Sequence, residues 1–163
     1  IITISGHIMR KQDHSNAFEV NKNVLVIFSA PSAFVSANWY TTKEMGSTWN
    51  YQTVHARGQL EIKDQTHLRN LLTELTLHFE KDADAPTQVK NLSKEYMEQN
   101  MKAIYSFDIV VNDLQHVFKL SQNRDEASHT NIQNELNKGD AACKYMAAAM
   151  KAQLNPKDSH KNL

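Results

Sequence analysis

Proline, glycine and cysteine are all scarce in this chain, with three, four and one among 163 residues. The lone Cys143 can close no internal disulfide, which suits a reducing compartment, and the cytoplasm is the expected location. No low-complexity tract and no internal repeat is present. A surplus of one charge is also missing: Lys plus Arg and Asp plus Glu both number 18, for a formal net charge of zero. That removes the simplest support for a dedicated DNA-binding face, although segregated charges keep DNA open as a partner. No apolar run approaches the roughly 18 residues of a membrane-spanning helix, and no signal peptide is visible. A nucleophile elbow, a phosphate loop, an HExxH and a paired CxxC are all absent.

What is present is ordinary globular material, 40% hydrophobic and 22% charged, in a length that buries a core as one domain. Residues 1–10 alternate, with Ile2, Ile4, Gly6 and Ile8 on one face, so they predict a half-buried strand. That strand is already under way at Ile1, with no initiator Met, and the expectation is that a front segment is missing. A short helix is expected within 11–22. Asn23–Ser29 and 33–36 are rich in β-formers and predict strands on either side of Pro31. Residues 37–48 read as a loop.

Residues 49–62 predict a further strand. Val54, Ala56, Gly58, Leu60 and Ile62 form its inner face, and Trp49, Tyr51, Thr53, His55, Arg57 and Gln59 the outer one. Gly58 inside it marks a bulge or a close backbone approach. Period then changes to helical over 65–80, with the stripe Leu68, Leu71, Leu72, Leu75 and Phe79 and Asp64 as N-cap. A polar connection and a helix over 93–101, capped by Ser93, follow. Residues 103–120 return to strand, broken by a turn near Asn112–His116. Two helices, about 125–138 and 140–154, meet at Gly139-Asp140, which serves as C-cap and then N-cap. The fold class is therefore α+β on an antiparallel barrel, with an inserted helical segment at about 65–101. The barrel domain covers 1–124, a C-terminal helical hairpin 125–155, and a polar tail 156–163.

Two Trp and two Tyr residues between positions 39 and 51 are mixed with hydroxyls, amides and a lysine. Such a cluster is either a packed anchor for a long loop or a site for a planar, polar, phosphorylated ligand. In the second case aromatic faces stack on rings, and Lys or Arg with Ser or Thr holds a phosphate. The histidines show no helical spacing with a carboxylate partner; His67, His78, His14, His129 and His160 are all expected on solvated surface.

At these residues the chain resembles a known family. Gly6-His7-Ile8-Met9-Arg10, Val35-Ser36 through Trp39-Tyr40, Thr48-Trp49-Asn50-Tyr51 with Val54-His55 and Gly58, and Lys119 through Arg124 are similar, in order, to blocks of the PaiB family. Its members are FMN-binding negative transcriptional regulators of bacteria. The resemblance implies a flavin-reductase-like split barrel, a homodimer, and FMN near the subunit interface. It implies a place near the flavin for Ser36, Trp39, Tyr40, Thr42, Trp49, Asn50 and His55, and a phosphate or interface role for Arg10 and Lys119. Ser121-Gln122-Asn123 ends a strand ahead of a helix and could cap that helix instead. One departure is Ala37-Asn38, where the family more often has Pro-Ser; the change is expected to loosen the loop.

Three functions compete on these residues. The first is the flavin-binding regulator. The second is a flavin- or haem-linked oxidoreductase without a direct DNA role, in which the cofactor carries the chemistry and His7 or His55 serves as haem ligand or proton donor. The third is a dimer that has lost its flavin. Against direct DNA reading by the last helix, residues 140–154 carry only Lys144 and Lys151 among Ala and Met, which is the composition of a packing surface.

Overall fold

Hydrophobic alternation and helix caps account for most of the elements in the computed structural model, which describes residues 1–154 apart from the side chains of His14 and Leu154. The expected tail and His160 lie outside the described residues. The strands are β1 (Ile2–Met9), β2 (Asn23–Ser29), β3 (Ala33–Val35), β4 (Thr48–Ile62) and β5 (Ile104–Lys119). The helices are α1 (Asp13–Val20), α2 (Gln65–Glu80), α3 (Lys94–Met101), α4 (Glu126–Leu136) and α5 (Ala141–Leu154). Strand order is β1-β5-β4-β2, with β3 on β4, giving an α+β chain with an antiparallel sheet. The described residues divide into two units, residues 1–26 with 56–114 and residues 27–55 with 115 onward.

In the first unit β1 pairs antiparallel with β5 from Ile2↔Val111 to Met9↔Ile104. The close approach expected at Gly58 is present: a Cβ there would lie 2.4 Å from the Val110 carbonyl oxygen. Asp64 caps α2 through Oδ1, which accepts the His67 N–H at 2.8 Å. Leu68 and Leu71 are buried by α2, and Leu68 packs with Val89, Met97 and Met101. The predicted stripe does not extend to its last member. Phe79 is 74% exposed, because the helix runs beyond the core it covers. Nor does the expected turn near Asn112–His116 form. Residues 104–119 are one continuous strand, since ladder pairing outweighs the local turn preference of Asn112-Asp113 where no Gly or Pro enforces a break.

In the second unit β3 pairs antiparallel with β4, placing Ala33 opposite Asn50 and Phe34 opposite Trp49. Helices α4 and α5 close its core around Val35, Tyr40, Leu120, Ile132, Leu136, Met146 and Met150. Asp125 caps α4, and Asp140 Oδ1 accepts the Cys143 N–H at 2.9 Å at the start of α5. Gly139 has no left-handed backbone, so it is not the left-handed cap that glycine usually provides. Its lack of a side chain is needed for another reason: a Cβ there would sit 2.7 Å from that of Cys143.

Candidate functional site

Eight of the nine predicted site residues belong to the second unit, and Arg10 belongs to the first. Arg10 is engaged where it stands. Its Nε donates to the Ile104 carbonyl at 3.0 Å, and its guanidinium lies 3.9 Å from the centre of the Tyr105 ring.

Ser36, Trp39, Tyr40 and Thr42 sit before, on and just after a single 3-10 turn, Ala37–Trp39. Ser36 Oγ caps it by accepting the Asn38 N–H at 3.2 Å, and Ala37 N–H donates to Ser47 Oγ at 3.0 Å. The Ala37-Asn38 segment is thus pinned at both ends, against the expected loosening. Trp39 is half-buried against the core. Tyr40 is buried beneath Arg124, whose guanidinium lies 4.3 Å from its ring centre, and its hydroxyl has no partner among the described residues. Thr42 is exposed at a cavity of about 400 Å³ lined by Ala37, Asn38 and residues 40–45.

Trp49, Asn50 and His55 follow along β4 and face different surroundings. Trp49 is 55% exposed and meets Phe34 edge-on at 5.9 Å. Asn50 is fully buried; its Oδ1 accepts from Ser121 Oγ at 3.0 Å and its Nδ2 donates to Met150 Sδ at 3.3 Å. Both halves of its amide are therefore committed inside the unit. His55 is half-buried. Lys119 ends β5, and its Nζ donates to Thr48 Oγ1.

Sequence reasoning passed over an apolar concavity of this unit. A cleft of about 550 Å³ is walled by Gln52, Phe118, Leu120 and Tyr145 and floored by Ala148, Ala149 and Ala152 of α5. A neighbouring chamber of about 450 Å³ shares Gln52, Phe118 and Tyr145 and adds residues 28–31, Thr53 and Val54. No charged side chain lines either one. Tyr145 Oη donates to Gln52 Oε1 at 3.4 Å, which leaves the Gln52 NH2 without a protein partner among the described residues. The available signal was the small-residue face of α5, with alanines at 148, 149 and 152 around Tyr145. Linking it to Gln52 and Phe118 requires the tertiary structure.

Polar groups elsewhere in this unit are held tightly. Thr41 Oγ1 donates to Asp125, and its backbone N–H donates to Ser128 Oγ at 2.9 Å. The Ser128 N–H, then the Ser128 and Thr41 hydroxyls, hold the Asp125 carboxyl below its ordinary range. His129 overturns its surface assignment: it is 5% exposed, on the α4 face that also buries Ser128, Ile132 and Leu136. Burial pushes its pKa down against an opposing hydrogen bond to the Leu120 carbonyl, and its Nδ1 lies 2.9 Å from Gln133 Nε2. In the first unit His67 is likewise paired, with Nδ1 3.0 Å from Ser106 Oγ and Nε2 3.1 Å from Asp108 Oδ1. Both residues fall in polar sequence, and only the packing face reveals their burial or pairing.

Comparison with known proteins brings a family model described as "Putative FMN-binding domain" onto residues 2–113. "Protease synthase and sporulation protein PAI 2" of Bacillus subtilis (strain 168) is 36% identical over 152 residues, 93% of this chain and 73% of that protein. An uncharacterized protein of Emericella nidulans is 28% identical over 129 residues, 69% of this chain and 51% of its own length. Among solved structures, the FAD and heme binding protein from Mycobacterium smegmatis shares the fold, with a TM-score of 0.54 at 14% identity. That match covers 78% of this chain and 58% of the mycobacterial one. The chain thus spans about half the length of the fungal relative and under two thirds of the mycobacterial chain.

Proposed function

The chain belongs to the FMN-binding family that includes the Bacillus subtilis PAI 2 protein, and from that membership we propose that its second unit carries an FMN site serving a PaiB-type homodimeric regulator. The observation that carries the reading is the cleft. Two aromatic rings, Phe118 and Tyr145, flank Gln52, whose Oε1 accepts from Tyr145 Oη and whose NH2 has no partner among the described residues, in a concavity of about 550 Å³ that no charged side chain lines. A neutral tricyclic ring with carbonyl acceptors fits such walls, and the size lies within the ~300–1,000 Å³ of small-molecule sites.

Gln52 NH2 would donate to a ring carbonyl, and Lys119 with the Thr48 hydroxyl would hold the phosphate outside the uncharged cleft. When bound, FMN supplies the redox chemistry of its ring, and the protein orients it and keeps water from one face.

The split barrel and the dimer belong to the same proposal. Phe34, Trp49, Val117 and Phe118 of the second unit are 40–55% exposed, an apolar display of the kind that subunit interfaces bury. Regulation by α5 reading DNA is disfavoured by its burial of Met146, Ala147 and Met150, which makes it a packing helix. An operator contact, if the protein makes one, falls to another surface.

The test is an absorbance titration of the purified protein with FMN, alongside Gln52→Leu, Lys119→Ala and Trp49→Ala. Near-stoichiometric uptake, weakened about tenfold by loss of the Gln52 donor or the Lys119 charge, is the expected result. A folded protein that takes up no flavin would refute the site.

A further inference from the structure

Three backbone groups at the end of β5 take side chains as hydrogen-bond partners. β5 stops at Lys119, and Ser121, with φ of 60°, breaks the extended run just beyond it. From the next position Gln122 reaches back along the chain. Its Nε2 donates to the Phe118 carbonyl, and its Oε1 accepts the Leu120 N–H at 2.7 Å. The Leu120 carbonyl in turn accepts from His129 of α4. One carboxamide thus offers the donor and the acceptor that an adjacent strand would present. The helix that follows does not use it, because Asp125 is the N-cap of α4.

Both residues held by Gln122 wall the cleft, and Lys119 lies between them. Leu120 is also fixed by burial in the core. Phe118 is 40% exposed, with the His116 ring 5.0 Å away, so packing holds it less firmly and its place depends on the course of its backbone. A binding group keeps its geometry only when the residues behind it are themselves held.

We propose that Gln122 is a positioning residue for the flavin, acting through the cleft wall and making no contact with the cofactor. By clamping the backbone on either side of Lys119, it sets the Phe118 ring against the cleft and the Lys119 ammonium at its mouth. The inference rests on the flavin reading above and adds the side chain that holds two of its contacts in register.

Three readouts on the full chain test it: FMN titration by absorbance, visible circular dichroism of the bound flavin, and amide hydrogen exchange at Leu120 by NMR. Gln122→Ala, at an exposed position, is expected to keep the fold. It should speed Leu120 N–H exchange at least about tenfold, weaken FMN about tenfold and change the flavin dichroism. Gln122→Glu keeps the acceptor for Leu120 and loses the donor to Phe118, so its FMN affinity should fall between the two. Asn123→Ala, an exposed neighbour, should match wild type in all three. FMN affinity and dichroism that stay at wild-type values while Leu120 exchanges faster would overturn the inference. Weakened FMN with Leu120 exchange unchanged would overturn it too, by making Gln122 a direct contact. Folded wild-type protein that takes up no FMN would sink the flavin reading and this inference together.

Discussion

Replacing Asn50 with alanine separates a structural amide from a cofactor contact. Asn50 is completely buried, accepts from Ser121 Oγ at 3.0 Å and donates to Met150 Sδ at 3.3 Å. Truncation leaves the buried Ser121 hydroxyl without its acceptor, at a cost of ~1–3 kcal/mol. It also opens a void beside Met150, at ~24 cal/mol per Å³ that fails to collapse, or about 1 kcal/mol for a residual void of ~40 Å³. The sum is about 2–4 kcal/mol.

For a domain of this size each kcal/mol lowers Tm by about 2–4 °C, so a fall of roughly 4–16 °C is expected. Urea unfolding monitored by circular dichroism gives the free energy, and a cycle with Ser121→Ala isolates the pair, whose coupling should be about 1 kcal/mol. Ser121 has φ of 60°, so Ser121→Gly removes the hydroxyl while relieving left-handed strain and should cost less than Ser121→Ala. An Asn50→Ala protein within ~0.5 kcal/mol of wild type that has lost flavin uptake would refute this reasoning and return Asn50 to the cofactor.

Three further outcomes follow from the geometry. Gly58→Ala forces a Cβ to 2.4 Å from the Val110 carbonyl oxygen; backbone must shift, and a loss of about 1–3 kcal/mol in chemical denaturation is expected. Burial lowers the His129 pKa in the folded protein, so the unfolded chain takes the proton first as pH falls below ~6.5. Stability therefore declines from that pH down to the folded pKa and then levels; His129→Gln, compared by thermal melts across pH 5–8, should flatten the decline. Phe79→Ser, at a position 74% exposed, should change stability by less than ~0.5 kcal/mol, and a large loss would show that the predicted α2 stripe does reach its last turn.

Local rules decided much of this protein before any long-range contact is considered. Asp64 and Ser93 cap α2 and α3 because their side-chain oxygens reach the free amides of a first turn three residues ahead. The alternation of Val54, Ala56, Gly58 and Leu60 is a property of one strand, and the family resemblance is carried by four motif blocks in order, from Gly6–Arg10 to Lys119–Arg124. Tertiary structure decided the rest. Asn112-Asp113 has turn chemistry, yet β5 continues through it as strand. Asn50 and His129 look like surface or site residues, and the partners that bury them lie at Ser121, Met150 and Leu120. The cleft joins positions 52, 118 and 145, separated by 66 and 27 residues. A side chain's neighbours depend on which elements pack together, and packing is a sum over many weak, non-local contacts that no window of sequence contains.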